Sequence, residues 1–181
     1  MQNKLVSDET LNAYRDRYEI LHRYQDTDEG KSLFVSKVTA VSKQIENLHV
    51  KAVVGDFIIE NDGPKDLGGS GLIPGPMPML LASFANCLEI TALLYLSVSN
   101  VKVNSIHVKV EAMHDKRSAL DPTKDPLPGF YDIKYDWFVD TDENLKKIDR
   151  ILKKVEEICP VKGTCNKHHK FPRKVYLIKN N

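Results

Sequence analysis

The sequence predicts an α+β fold with antiparallel sheet, and three observations lead there. Strand-like segments come in runs instead of alternating one for one with helices, which argues against a parallel βαβ architecture. One segment, 79–98 (MLLASFANCLEITALLYLSV), is apolar on nearly every face, so it must be enclosed and not laid on a surface. A second, 142–158, places Leu145, Ile148, Ile151, Leu152, Val155 and Ile158 at helical spacing and is amphipathic.

The chain has 181 residues, enough for one domain with its own core plus an arm. The arm comes first. Residues 8–24 place Leu11, Tyr14, Tyr18 and Leu21 on one helical face, with Asp8 and Glu9 near the start and His22 and Arg23 near the end, as the helix dipole favours. The polar run QDTDEGKS then breaks the helix, so residues 1–30 read as a helical arm and 31–181 as the domain. Alternating segments 33–41 and 47–54, then 57–61 after the turn pair Gly55-Asp56, predict a three-stranded antiparallel meander.

A connector over 61–78 follows, rich in glycine and proline. Its GGSG lacks the Lys-Ser/Thr pair and the strand–loop–helix setting of a phosphate loop, and reads as a turn feeding the apolar helix. Pro78 suits the first turn of that helix. The charge-free stretch 67–88 is broken by Gly68, Gly69, Gly71, Pro74, Gly75, Pro76 and Pro78, and Glu89 interrupts the helical half, so no membrane span is expected. Ala82, Ser83, Ala85 and Ala92 allow other elements to approach closely. Strands at 105–113 and 130–140, the amphipathic helix ending at Cys159-Pro160, and a closing strand at 173–179 complete the order. The apolar helix exceeds what one sheet can cover, so an obligate homodimer is expected.

Charge and composition exclude several classes of function. Lys plus Arg number 26 against 25 Asp plus Glu, a net charge of +1 that gives no reason to expect nucleic acid or an anionic membrane as partner. The start, MQNKLVSDETLN, has no apolar signal region, and three cysteines are too few for a secreted disulfide scaffold. A cytoplasmic protein is expected.

Cys87 lies in the apolar helix and Cys159 at the end of the amphipathic one. If the fold brings them together, they suit thiol redox chemistry: one is oxidised to a sulfenic acid, the other condenses with it to a disulfide. Attack needs a thiolate, hence a cation or dipole nearby. The alternative for Cys87 is a small buried hydrophobe. Glu89 is turned about 200° from Cys87 around the helix and is a poor partner for it. His107 falls on the polar face of its strand. The tail CPVKGTCNKHHKFPRK offers Cys159, Cys165, His168 and His169, but the spacing lacks the two separated pairs of a structural zinc site, so neither metal nor cofactor is expected. Its lysines and arginine (Lys162, Lys167, Lys170, Arg173, Lys174) form either a positive field that favours a thiolate at Cys159 or Cys165, or simply a solvated face.

The run GGSGLIPGPMPMLLASFANCLEITALLYL, then SIHVKVEA, then a helix ending in ICPV, resembles the OsmC/Ohr family (osmotically inducible protein C and organic hydroperoxide resistance protein) over residues 35–179. The resemblance implies antiparallel sheets wrapped around a buried central helix in an intertwined homodimer. It also implies a two-cysteine peroxidase that reduces organic hydroperoxides and is recycled by a thiol reductant. By position Cys87 is the peroxidatic and Cys159 the resolving residue. Two departures stand out. The family's early glutamate is replaced by Pro78, and no arginine occurs between Arg23 and Arg117. Lys43 lies nearest the place of the family's arginine, as a point charge without its planar fork. Arg15, Arg17 and Arg23 of the arm are the other candidates. The alternative function is a non-catalytic dimer of this type binding an apolar small molecule in the crevice.

Overall fold

A hydroxyl cap opens each of the first two helices. In the computed structural model, which describes residues 5–121, 123, 125 and 127–166, the Ser7 side chain accepts from the Thr10 amide to start α1 (Asp8–Tyr24). Thr27 does the same for the Gly30 amide and starts α2 (Asp28–Phe34), a helix that the sequence reading took for the break after the arm. Strand β1 (Ala40–Glu46) therefore begins later than the expected 33–41, and it runs through 42–46, between the two expected strands. The turn sits at Asn47, whose φ of 44° is left-handed backbone that asparagine tolerates. Strands β2 (His49–Val54) and β3 (Phe57–Asn61) follow, and the order β1-β2-β3 is the antiparallel meander expected.

The glycine-rich connector is tied down by one carboxylate. Buried Asp62 accepts from the Gly63 amide and from both the amide and the hydroxyl of Ser70, which holds its carboxyl below the usual carboxylate range. A side chain at Gly69 would collide with the Gly63 carbonyl, so the loop closes only with glycine there. Gly75 and Pro76 then start α3 (Pro76–Val98), two residues before the expected 78.

Strands β4 (Ser105–His114) and β5 (Phe130–Asp140) form a separate antiparallel pair, from Ser105 opposite Asp140 to His114 opposite Phe130. Alternation places Ile106, Val108 and Val110 toward the interior and leaves His107 outside, stacked on Phe138 with centroids 4.7 Å apart. Helix α4 (Leu145–Ile158) starts three residues later than expected because Asn144 caps it by accepting from the Lys146 amide. Pro160 opens a further short helix, α5 (Pro160–Cys165), which the sequence reading missed. The expected strand at 173–179 lies outside the described residues.

The main core joins Ala92 and Leu96 of α3 to Val101, Val103 and Ile106, and to Ile148, Leu152 and Val155 of α4. Thus β4-β5 and α4 both pack along α3. Helix α1 docks on its C-terminal half, where Tyr14 meets Tyr95 edge to face at 6.3 Å. Burial there, with Tyr95 alongside, pushes the Tyr14 hydroxyl up to about 12.

Within a single chain α3 is buried along a stripe, Phe84, Leu88, Ala92 and Leu96, with the i, i+4 spacing of one helix face. Leu80 and Ile90 are exposed. By length and composition alone the helix could cross a bilayer, with a mean hydropathy of 1.7 and 22% of that window buried. Its buried stripe, however, lies against protein.

Candidate active site

The fold brings the two distant cysteines together. Cys87 faces β4-β5 from the middle of α3, one residue before fully buried Leu88. Cys159 ends α4, where the backbone turns extended (φ −60°, ψ 115°) before Pro160 starts α5. This turn directs the Cys159 side chain inward, and the residue is 1% exposed. The Cys159 thiol donates a hydrogen bond to the Cys87 sulfur over 3.3 Å. Bonding needs an approach of only about 1.3 Å more to reach disulfide length.

The surroundings of the pair are apolar. Phe84, Leu88 and Cys159 form a second buried cluster, against which Cys87, Val108, Val110, Tyr135, Trp137 and Val161 pack. Phe84 and Tyr135 meet edge to face at 6.0 Å. Cys87 is part-exposed while Cys159 is sealed, so an incoming molecule meets Cys87 first.

Electrostatics distinguish Cys159 further. Burial pushes its thiol up; the backbone amides of Lys162 and Val161, directed at the sulfur, oppose that rise, and the bond to Cys87 adds to it. Cys159 thus holds its proton more tightly than a free thiol does, its apolar enclosure being the largest cause. Oxidation of a thiol requires the thiolate.

Polar groups stand at the rim. The Lys162 ammonium donates to the Tyr135 hydroxyl at 2.9 Å and lies 3.9 Å from a Glu156 carboxylate oxygen. The other oxygen of Glu156 accepts from the Trp137 indole N–H at 3.1 Å. The sequence reading placed Lys162 in a general positive field but overlooked Tyr135, Trp137 and Glu156. Two signals were available. Tyr135 and Trp137 share a strand face at period two, and Glu156, Cys159 and Lys162 succeed one another at intervals of three.

The other candidates lie elsewhere. Lys43 is exposed on β1 opposite Lys51, outside the group packed around the sulfurs. Arg15 bonds to Asn12 at 3.5 Å and lines a cavity with Ser97 and Asn100, while the arm meets α3 at Tyr95, about 12 Å along the helix from Cys87. The arm, so placed, does not carry Arg15 to the cysteines. Cys165 is exposed at the end of α5. Of the tail residues considered for a metal, His168 and His169 lie outside the described residues.

The central helix and the antiparallel strand pair beside it describe an α+β class of fold, and comparison with known proteins agrees. The model of the OsmC-like protein family matches residues 68–171, more than half of the chain. This chain belongs to the OsmC-like family. The first sheet's strands and the arm precede the matched region. No curated protein matches the chain.

Solved structures extend the likeness. An OsmC-like protein from Mycoplasma pneumoniae is 23% identical, with 72% of this chain and 87% of that one covered and a TM-score of 0.60. An organic hydroperoxide resistance protein OsmC from Legionella pneumophila is 18% identical over 73% of this chain and 92% of that one, with a TM-score of 0.53. One from Elizabethkingia anophelis, also an organic hydroperoxide resistance protein, is 14% identical over 73% and 89%, with a TM-score of 0.52. At these identities the likeness is one of fold.

Proposed function

We propose that this protein is a thiol-dependent peroxidase that reduces organic hydroperoxides through Cys87 and Cys159. The observation that carries this reading is the pair of sulfurs 3.3 Å apart in apolar surroundings, one part-exposed and one buried. In the first step the Cys87 thiolate attacks the terminal peroxide oxygen. An S–O bond forms, the O–O bond breaks, and the alkoxide leaves as the alcohol after taking a proton. In the second, the Cys159 thiolate attacks the sulfur of the Cys87 sulfenic acid; an S–S bond forms and hydroxide departs as water. A dithiol reductant returns the pair to thiols. The apolar wall of Phe84, Val108 and Val110 suits an alkyl or aryl hydroperoxide better than hydrogen peroxide.

The working unit in this reading is a homodimer. The sheet β1-β2-β3 exposes Val41, Val53 and Ile58 on one face and Phe57 and Ile59 on the other, while α3 exposes Leu80 and Ile90. A second copy that buries these faces would complete the cover of α3. Lys43, on that same sheet, enters the chemistry only through such an interface. The names of the Legionella and Elizabethkingia relatives point to the same activity.

The test is consumption of cumene hydroperoxide by the purified protein with a dithiol reductant. Turnover that disappears in Cys87→Ser supports the reading, and equal consumption by wild type and Cys87→Ser contradicts it.

A further inference from the structure

We propose that Lys162 is the cation that serves the cysteine pair, held at the rim of the crevice by Tyr135 and Glu156 so that it favours the Cys159 thiolate in the disulfide-forming step. The need for such a group follows from burial. Cys159 must lose its proton while enclosed by Phe84, Leu88 and Val161, surroundings that disfavour a charge. Neither Lys43 nor Arg15 stands beside the sulfurs in this chain.

Lys162 is built into the site and does not wave from the surface. Its side chain is 28% exposed, against 69% for Lys153 on α4. The ammonium donates to Tyr135 Oη at 2.9 Å and stands 5.4 Å from the centre of the same ring. Tyr135 is itself packed against the cysteine cluster, so the group that aims the lysine also walls the crevice. Glu156, fixed by the Trp137 indole, approaches Lys162 no closer than 3.9 Å. At that separation Glu156 draws on the ammonium and offsets part of its field. The hydrogen bond to Tyr135 raises Lys162's affinity for its proton against the opposing effect of burial, and the charge of Cys159 is among its neighbours' influences.

Cys159 touches Cys87 from α3, and its cluster packs on Tyr135 from β5; Tyr135 in turn holds Lys162 of α5, with Glu156 of α4 at 3.9 Å from that ammonium. Lys162 is the cationic member of this group. When Cys87 carries the sulfenic acid, the Cys159 proton leaves, the resulting thiolate attacks the Cys87 sulfur, the S–O bond breaks, and the departing hydroxide becomes water. Lys162 acts on the charge that this step creates on Cys159. Tyr135 and Glu156 are positioning residues.

This role rests on the peroxidase reading only for the origin of the sulfenic acid, so two measurements without hydroperoxide test it. The first is the ultraviolet thiolate titration of Cys159 in full-length protein carrying Cys87→Ser and Cys165→Ser, corrected with the matching chain that also carries Cys159→Ser. Lys162→Met is expected to raise the midpoint by about half to one pH unit, the range for one partly screened charge. Lys162→Arg is expected to restore it, and Tyr135→Phe to fall between. Lys162→Gln gives the same reading if the methionine chain does not fold.

The second is closure of the Cys87–Cys159 disulfide by diamide in the Cys165→Ser protein, expected to slow about three- to tenfold in Lys162→Met at fixed pH. An unchanged midpoint in Lys162→Met overturns the proposal. So does equal slowing in the methionine and arginine variants without a midpoint shift, which is the signature of packing alone. If wild type ignores hydroperoxide while Lys162→Met still shifts the midpoint and slows closure, the role of Lys162 stands and the peroxidase reading falls. Hydroperoxide turnover with neither effect has the opposite meaning.

Discussion

Closing the Cys87–Cys159 bond should make the protein much harder to unfold, and the size of the effect follows from the structure. The bond ties residues 72 apart in sequence. Restricting the unfolded chain with a loop of that length stabilises the folded state by about 4 kcal/mol on the chain-entropy model. Little strain offsets it, because the sulfurs already touch and Cys159 sits in a fixed turn between α4 and α5. For a domain of this size each kcal/mol is worth about 2–4 °C, so the oxidised protein should melt about 8–16 °C above the reduced one. The assay is calorimetry of the Cys165→Ser protein after diamide and after dithiothreitol, with Cys87→Ser as the control that shows no difference. An oxidised form melting level with or below the reduced one would refute the reasoning, since bond formation would then require the crevice to distort.

Leu88, fully buried between Phe84 and Cys159, gives a second prediction: Leu88→Ala should cost about 3 kcal/mol in denaturant unfolding, and a loss under 1 kcal/mol would contradict the packing described. The raised Cys159 thiol fixes a pH dependence. The folded state holds that proton more tightly than the unfolded chain does, so its contribution is whole below the free thiol range near about 8.5 and is lost as pH climbs through the folded value. Denaturation of reduced protein should show this decline above that range, and Cys159→Val should flatten it. In the opposite direction, Asp62 is held below its ordinary range, so its contribution is lost as pH falls through the folded value, and Asp62→Asn should lessen the acid sensitivity of unfolding. Finally, Ile58→Glu on the exposed meander should shift the protein from dimer toward monomer in analytical ultracentrifugation; an unchanged dimer would remove that sheet from the interface.

Elements marked by strong periodicity were legible from sequence. The α1 range, the β5 range and the end of α4 agree with the reading because stripes of Leu, Ile and Tyr or strict alternation mark them. Local capping decided what was missed. Thr27 restarts a helix inside a polar run, Asn47 moves the hairpin turn, and Pro160 opens a helix where proline was read as an end. For α3, composition reports how much cover a helix needs, and not which part its own chain supplies. The cysteine pair could be nominated by residue type and resemblance. Its 3.3 Å approach could not be read, because that depends on how α3 and α4 cross and on the single extended residue at Cys159. Tyr135 and Glu156 went unseen for a related reason: their importance comes from Lys162, whose position is set by α5.

The most direct measurement mixes reduced Cys165→Ser protein with one equivalent of cumene hydroperoxide and follows both the alcohol released and the cysteine peptides by mass spectrometry. The account predicts one equivalent of cumyl alcohol and a single new cross-linked peptide joining Cys87 to Cys159, with no alcohol from the Cys87→Ser chain. Two cysteines that stay fully open to alkylation beside intact hydroperoxide would contradict it.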